Sequence, residues 1–207
     1  YSVTGVQTCA LPILIETMAG LIHEAQLREL QLVVQGQGFV DEEKTATNSE
    51  TDYLLKDAAG RPLALSYRVT NSAKNGQYEI EKQYFTDPTA QSMVVRTRFK
   101  ALADGLTVYS YIDPALANTG SNDSAAFKNG MLQAQDGNSS LTLLTVPAPL
   151  HATVGFAGVS DGLTELKKTG QIPTYHSTGE ATGNVAALLT HATLKKGETA
   201  SWDQVIG

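Results

Sequence analysis

Between Met93 and Lys100 the side chains alternate: Met93, Val95, Thr97 and Phe99 fall on one side, and Val94, Arg96, Arg98 and Lys100 on the other. Only an extended chain, whose successive side chains point to opposite faces, gives every second residue the same surroundings. The same grammar returns in QYEIEKQYF, where Tyr78, Ile80 and Tyr84 oppose Glu79, Glu81 and Gln83. It returns again in LALSYRVT, where Leu63, Leu65, Tyr67 and Val69 oppose Ala64, Ser66, Arg68 and Thr70. NSAKNG lies between these two and predicts a hairpin. Further strands are predicted at Leu106 to Ile112, Leu30 to Val34, Leu141 to Val146, Ala152 to Phe156, Val185 to Thr193 and Ala200 to Ile206. Asp87-Pro88, Asp104-Gly105, Asp113-Pro114, Asp136-Gly137 and Lys196-Gly197 punctuate them. Helical signals are few: one turn at Asp123 to Phe127, and about two turns in GLTELKK before Gly170 stops it. Short strands without intervening amphipathic helices specify an all-β, antiparallel two-sheet sandwich.

A chain of 207 residues is long enough to bury its own core without staples. Its 15 basic and 21 acidic residues give a net charge of −6 without a basic run, which excludes a nucleic-acid partner. The single Cys9 excludes an internal disulfide and a multi-cysteine metal site. CALPILIETMAGLI has no basic region before it and carries Pro12 and Glu16, so it is neither a signal peptide nor a membrane span. SVTGVQTCALPI resembles a translated sequencing-adapter remnant, so residues 1–18 are set apart as a non-native leader and residues 19–207 are read as the domain. Residue 1 is Tyr and the chain stops within the strand SWDQVIG, so both ends are read as cuts in a longer protein.

Gly158-Val159-Ser160-Asp161-Gly162 spells the G-x-S-x-G pattern of a serine nucleophile elbow. An elbow requires a parallel sheet followed by a covering helix, and here the sheet pattern is antiparallel and the helix short, so Ser160 is read as part of a turn. His23, His151, His176 and His191 are scattered without a metal half-site. Asp41-Glu42-Glu43 places adjacent acids on alternating faces and reads as solvated rim, unlike the facing carboxyls of a glycosidase. NTGSNDS, Asn118 to Ser124, is oxygen-rich but lacks the fixed spacing of a calcium loop, so it is read as a surface loop. Tyr67, Tyr78, Tyr84, Tyr109, Tyr111 and Trp202 suit sugar stacking if they are exposed, but their alternation with polar neighbours favours the core. His151 or His176 as acid with Glu180 as base would make a mutarotase-type pair, although neither sits in a recognised motif. No catalytic, cofactor or metal residue is therefore assigned.

Three segments in order resemble one family: QLRELQLVVQGQGFVDEEK (Gln26 to Lys44), ALSYRVTNSAKNGQYEIEKQYFTDPTAQSMVVRTRFKA (Ala64 to Ala101), and GFAGVSDGLTEL followed by GNVAALLTHATLKKGETASWDQVIG. They are similar to the amino-terminal β-domain of bacterial glucoamylases and glucodextranases, glycoside hydrolase family 15. The resemblance implies a supersandwich of the galactose-mutarotase-like type with GVSDG as a structural turn. It implies a non-catalytic accessory role beside an (α/α)6 barrel following residue 207, which cleaves α-glucosidic bonds with inversion and carries both catalytic glutamates. The parent would be a secreted or periplasmic polysaccharide hydrolase, with the barrel and an α-glucan as partners. The alternative reading is a freestanding carbohydrate-binding module. At the front, the family's first strands are replaced by Tyr1 to Met18.

Overall fold

The structure, a computed structural model, describes residues 6–10, 14–19, 25–63, 66–87, 89–90, 92–179 and 184–207. In chain order the first strands are β1 (Val6–Ala10), β2 (Leu14–Ala19), β3 (Ala25–Gly36), β4 (Phe39–Glu42), β5 (Thr47–Tyr53), β6 (Tyr67–Ala73), β7 (Tyr78–Asp87) and β8 (Ser92–Ala101). The rest are β9 (Leu106–Pro114), β10 (Ser124–Lys128), β11 (Met131–Asp136), β12 (Ser139–Val146), β13 (His151–Phe156), β14 (Thr178–Gly179), β15 (Val185–Leu194) and β16 (Thr199–Ile206). Two short helices interrupt them, α1 (Glu43–Ala46) and α2 (Gly162–Thr169).

The strands form two sheets. One has seven strands in the order β1-β2-β3-β9-β15-β13, with β4 also paired to β3; the other has nine, β14-β10-β11-β12-β16-β8-β7-β6-β5. The sandwich expected from the alternation is what forms. Residues 1–18, set apart above, include β1 and all of β2 except Ala19, and β2 pairs with β3 through Leu14↔Leu30 and Thr17↔Leu27.

The alternating segments fall as the sequence prescribes: Tyr78, Ile80 and Tyr84 are buried, as are Met93, Val95, Thr97 and Phe99. Two expectations change. Asp123 to Phe127 is not a helical turn, because Ser124–Lys128 is the strand β10, held by β11 on one side and β14 on the other. The run from Leu63 becomes strand only at Tyr67; Leu63 is 67% exposed, and positions 64–65 lie outside the described residues.

The smaller sheet is buried on both faces at its centre, because α2 lies across its outside. Leu163 and Leu166 of the helix pack on Val33, Tyr109, Tyr111, Ala186 and Leu188. This explains why β9 and β15 alternate so weakly: both faces are apolar.

Between the sheets the core divides into two apolar clusters. One contains Leu30, Tyr84, Val95, Ile112 and Leu189, and the other Leu32, Ile80, Phe99, Val108 and Trp202. Polar residues sit at the boundary, with Lys82 paired across to Thr97, and Gln204 across to Thr145. Asn71 and Ser110 occupy the same level on their own strands, between residues of the two clusters. The buried ion pair of Lys82 with Glu43 is inside this band.

Candidate functional site

The G-x-S-x-G segment closes on itself. After β13 the backbone N–H groups of Val159, Ser160 and Asp161 all donate to the Phe156 carbonyl, at 3.0 to 3.1 Å. The Ser160 hydroxyl oxygen accepts from the Phe156 N–H at 3.1 Å. Asp161 then caps α2: its Oδ1 accepts from the Thr164 N–H at 2.5 Å, and its Oδ2 accepts from the Gly158 N–H at 2.7 Å. Such a cap satisfies helix N–H groups that have no intrahelical partner. Gly158 takes φ +75°, and a Cβ on Gly162 would lie 2.5 Å from Thr153 Cγ2, so glycine is what lets α2 settle on the sheet. The sheet beneath is antiparallel, β13 pairing with β15. Ser160 therefore belongs to a helix-docking turn, and among the described residues no feature of an elbow surrounds it.

The acidic run divides three ways. Asp41 accepts from the Asn75 side-chain amide at 2.9 Å and from the Tyr78 hydroxyl at 3.2 Å. Glu42 accepts from Gln31 and pairs with Lys44 and Lys167. Glu43 is not solvated rim: it is wholly buried, because α1 turns the chain inward there. Its Oε2 accepts from the Leu32 N–H at 2.7 Å and from Lys82 Nζ at 2.5 Å, and its Oε1 accepts from Asn71 Nδ2 at 2.6 Å. The carboxylate has no room for substrate. No two of the three acids face one another across a cleft, as glycoside cleavage requires.

The histidines do not converge either. His151 is exposed and packs on Tyr175 with ring centroids 4.9 Å apart. His176 contributes its backbone, its N–H reaching Thr153 Oγ1 and its carbonyl accepting from Val154 N–H. Glu180 and His23 lie outside the described residues. His191 sits at a bulge in β15, stacked on Trp202 at 3.9 Å with Nε2 2.8 Å from the Ser110 hydroxyl. Burial pushes its imidazole down to about 3. In the unfolded chain the ring takes a proton near about 6.5. As the pH falls from about 6.5 towards 3, the unfolded state therefore binds a proton that the folded state refuses, and stability declines. His191→Gln is expected to flatten this part of the stability profile, read as urea midpoints between about pH 4 and pH 7.

The aromatics considered for sugar stacking are mostly core. Tyr78, Tyr84, Tyr109, Tyr111 and Trp202 are all buried, and Tyr67 stacks on Tyr84 at 5.3 Å. They offer no exposed platform.

What the outside of the nine-stranded sheet does offer is a shallow trough of about 390 Å³ lined by Glu81, Gln83, Arg96, Arg98 and Asp203. Arg96 makes a bidentate pair with Asp203 at 2.9 and 2.8 Å and lies over the Phe85 ring. Beside the trough an apolar row crosses five strands by direct register: Met131↔Leu144, Leu144↔Val205, Val205↔Val94 and Val94↔Phe85. Val146 adjoins it at 53% exposure. Sequence reasoning missed this row, although period two put Val94 and Phe85 on the outer face; the register that aligns them is non-local. Among the described residues no three histidine, cysteine or acidic side chains are grouped to hold a metal, and no helix is long and apolar enough to cross a membrane.

Comparison with known proteins agrees with this picture of an antiparallel sandwich. A glucoamylase from Clostridium sp. (strain G0005) is 28% identical over 172 residues, which is 79% of this chain and 23% of that protein. The crystal structure of a bacterial glucoamylase complexed with acarbose has the same fold, with a TM-score of 0.85 and 23% identity, covering 99% of this chain and 32% of that one. The chain thus spans about a quarter to a third of the length of these relatives. The family described as glucodextranase, domain N, matches residues 7–207, and the chain belongs to it.

Proposed function

We propose that this chain serves as the non-catalytic N-terminal accessory domain of an inverting, exo-acting α-glucan hydrolase of the glucoamylase or glucodextranase type, packed against an (α/α)6 catalytic barrel and working outside the cytoplasm. The observation that carries the reading is the outward apolar row Met131–Leu144–Val205–Val94–Phe85. A sheet face with such a row is better covered than wetted, and interfaces between domains of one chain typically bury about 600–1,500 Å². Val205, on β16, stands at the middle of the row, paired with Leu144 on one side and Val94 on the other. The polar trough with Arg96 and Asp203 would form the rim of that contact, and the burial of Tyr78, Tyr84, Tyr109, Tyr111 and Trp202 favours support over sugar capture as the role.

The test uses the full-length enzyme. Leu144→Glu combined with Val205→Glu, on an outer face that the domain's own core does not need, should weaken the association of the two domains by about 2 kcal/mol. Calorimetry should then show the domains melting separately, and a protease should cut between them sooner. A melting profile and cleavage rate identical to the parent enzyme would refute this docking face. Release of glucose from maltooligosaccharides by residues 1–207 alone would refute the accessory role.

A further inference from the structure

We infer that the corner between the loop Leu116–Asp123 and the open end of the β10–β11 hairpin binds a hard divalent cation of the calcium type, with the Asp123 and Asp136 carboxylates as its anionic ligands. The first observation is Asp123 itself. It is completely buried, and neither carboxylate oxygen has a hydrogen-bond partner. A buried polar group left unpaired is rare in native proteins, and a missing ion is among the few physical explanations. Ser124 pairs with Gln135, so the register carries Asp123 to the position opposite Asp136. Like charges placed opposite each other across a ladder repel. The Asp123 carboxyl is accordingly pushed up to about 6, first by burial and then by the Asp136 charge. The Leu116 backbone N–H and the Arg28 charge pull the other way, more weakly than burial does.

The second observation is an excess of oxygen over hydrogen next to this carboxylate. The Thr119 hydroxyl has one proton, yet it stands within hydrogen-bond distance of three acceptors: the Leu116 carbonyl at 3.2 Å, the Ser121 carbonyl at 3.0 Å and Asp136 Oδ2 at 3.2 Å. Two backbone N–H groups also donate here, Thr119 N–H to the Leu116 carbonyl at 3.1 Å and Ser121 N–H to Thr119 Oγ1 at 3.4 Å, which leaves the Ser121 carbonyl and Asp136 Oδ2 to compete for the one hydroxyl proton, a spacing of oxygens that adjacent ligands of a calcium ion also show. The nearby charges balance the same way. Asp113 is already matched, with Arg28 at 3.6 Å and the Asn184 amide donating at 2.6 Å. The Arg28 charge also acts on Asp123, but among the described residues no ion pair joins Asp123 or Asp136 to a cation, and two carboxylates without one match the charge of a divalent ion.

The donor set consists of oxygen alone. It has two carboxylates, and the remaining ligands would be carbonyl and hydroxyl oxygens. An all-oxygen set selects a hard ion over zinc or copper. Magnesium keeps most of its water and demands a strict octahedron, so it fits a crowded loop less well. Ligand sets with few charges bind calcium weakly, at about 10⁻⁴–10⁻³ M in many modules.

The experiment uses metal-stripped full-length protein titrated with calcium chloride by calorimetry, with magnesium chloride as the contrast, alongside thermal melts at each concentration. The parent protein should bind one more calcium than Asp123→Asn, and calcium should raise its melting temperature more than magnesium does. Asp136→Asn, at the part-exposed open end of the hairpin, should weaken the same binding event roughly tenfold, the loss of one charged ligand. Equal calcium stoichiometry and equal calcium stabilisation in the parent and both variants would overturn the proposal. So would a parent protein indifferent to calcium whose stability rises on acidification through about pH 6, because a proton would then be neutralising Asp123 in place of the ion.

Discussion

Lys82→Met is expected to destabilise the domain by about 3–5 kcal/mol, the cost typical of removing one partner from a buried ion pair. Lys82 and Glu43 have side chains 1% and 0% exposed, and Nζ lies 2.5 Å from Oε2. Methionine fills nearly the same space, so the loss is electrostatic rather than a cavity. The Glu43 carboxylate would keep the Leu32 N–H and the Asn71 amide but lose the ammonium bonded to it. The double variant Glu43→Gln with Lys82→Met removes both charges while its amide oxygen still accepts from Leu32, so it should be more stable than Lys82→Met alone. Urea unfolding of the parent, Lys82→Met, Glu43→Gln and the double variant closes the cycle. A Lys82→Met midpoint within error of the parent would mean that the pair is not buried in solution. The pair also disfavours a specific misfold. A slip of one residue between strands turns the apolar face outward and is costly anyway, but a slip of two keeps the faces correct. Only the latter error would leave the apolar faces content, and it carries Lys82 away from both Glu43 and Thr97.

How much of this was legible depends on what each residue meets. β7 and β8 are plain in the sequence because one face is wet: Glu79, Arg96 and Lys100 declare the outside, and Tyr78, Val95 and Phe99 the inside. Helix α2 is legible from its ends, with Asp161 as cap and Gly170 at φ +72° as stop. β10 was not legible, because alanines in DSAAF suit a helix equally well and only pairing with Met131–Asp136 decides. The Glu43 centre was hidden for a related reason. DEEK looks like surface, and the partners that bury it, Asn71 and Lys82, arrive 28 and 39 residues later. One signal was present: in QYEIEKQYF the period places Lys82 on the face of Tyr78, Ile80 and Tyr84, and a lysine on an inward face demands a buried acid. The family resemblance named the family to which the chain belongs without revealing this pair, since order and spacing of motifs carry no information about which charges meet.

The turn that spells a hydrolase motif yields the other large effect, and it arises from a residue just before the motif. Gly155→Ala places a methyl 2.1 Å from the Ser160 carbonyl oxygen, 2.6 Å from its carbon and 3.0 Å from the Asp161 nitrogen. These are backbone atoms, so no rotamer relieves the clash; the turn has to move. Moving it displaces Asp161, which holds the Gly158 and Thr164 amides, and with it the start of α2. Leu163 and Leu166 would then lift from Tyr109, Tyr111 and Leu188, uncovering the apolar outside of the smaller sheet. Overpacking usually costs about 1–3 kcal/mol, and because the helix cap and the packing of α2 on the sheet are disrupted as well, about 3 kcal/mol or more is expected. Ser160→Ala removes only the hydrogen bond from Phe156 N–H and should cost about 1 kcal/mol. The order of the two effects is the test, read from thermal melts and from hydrogen exchange of the α2 amides. A structural turn makes the glycine matter far more than the serine. If Gly155→Ala were tolerated while Ser160→Ala alone abolished an activity of the full-length enzyme, the serine would have to be restored as a reacting group.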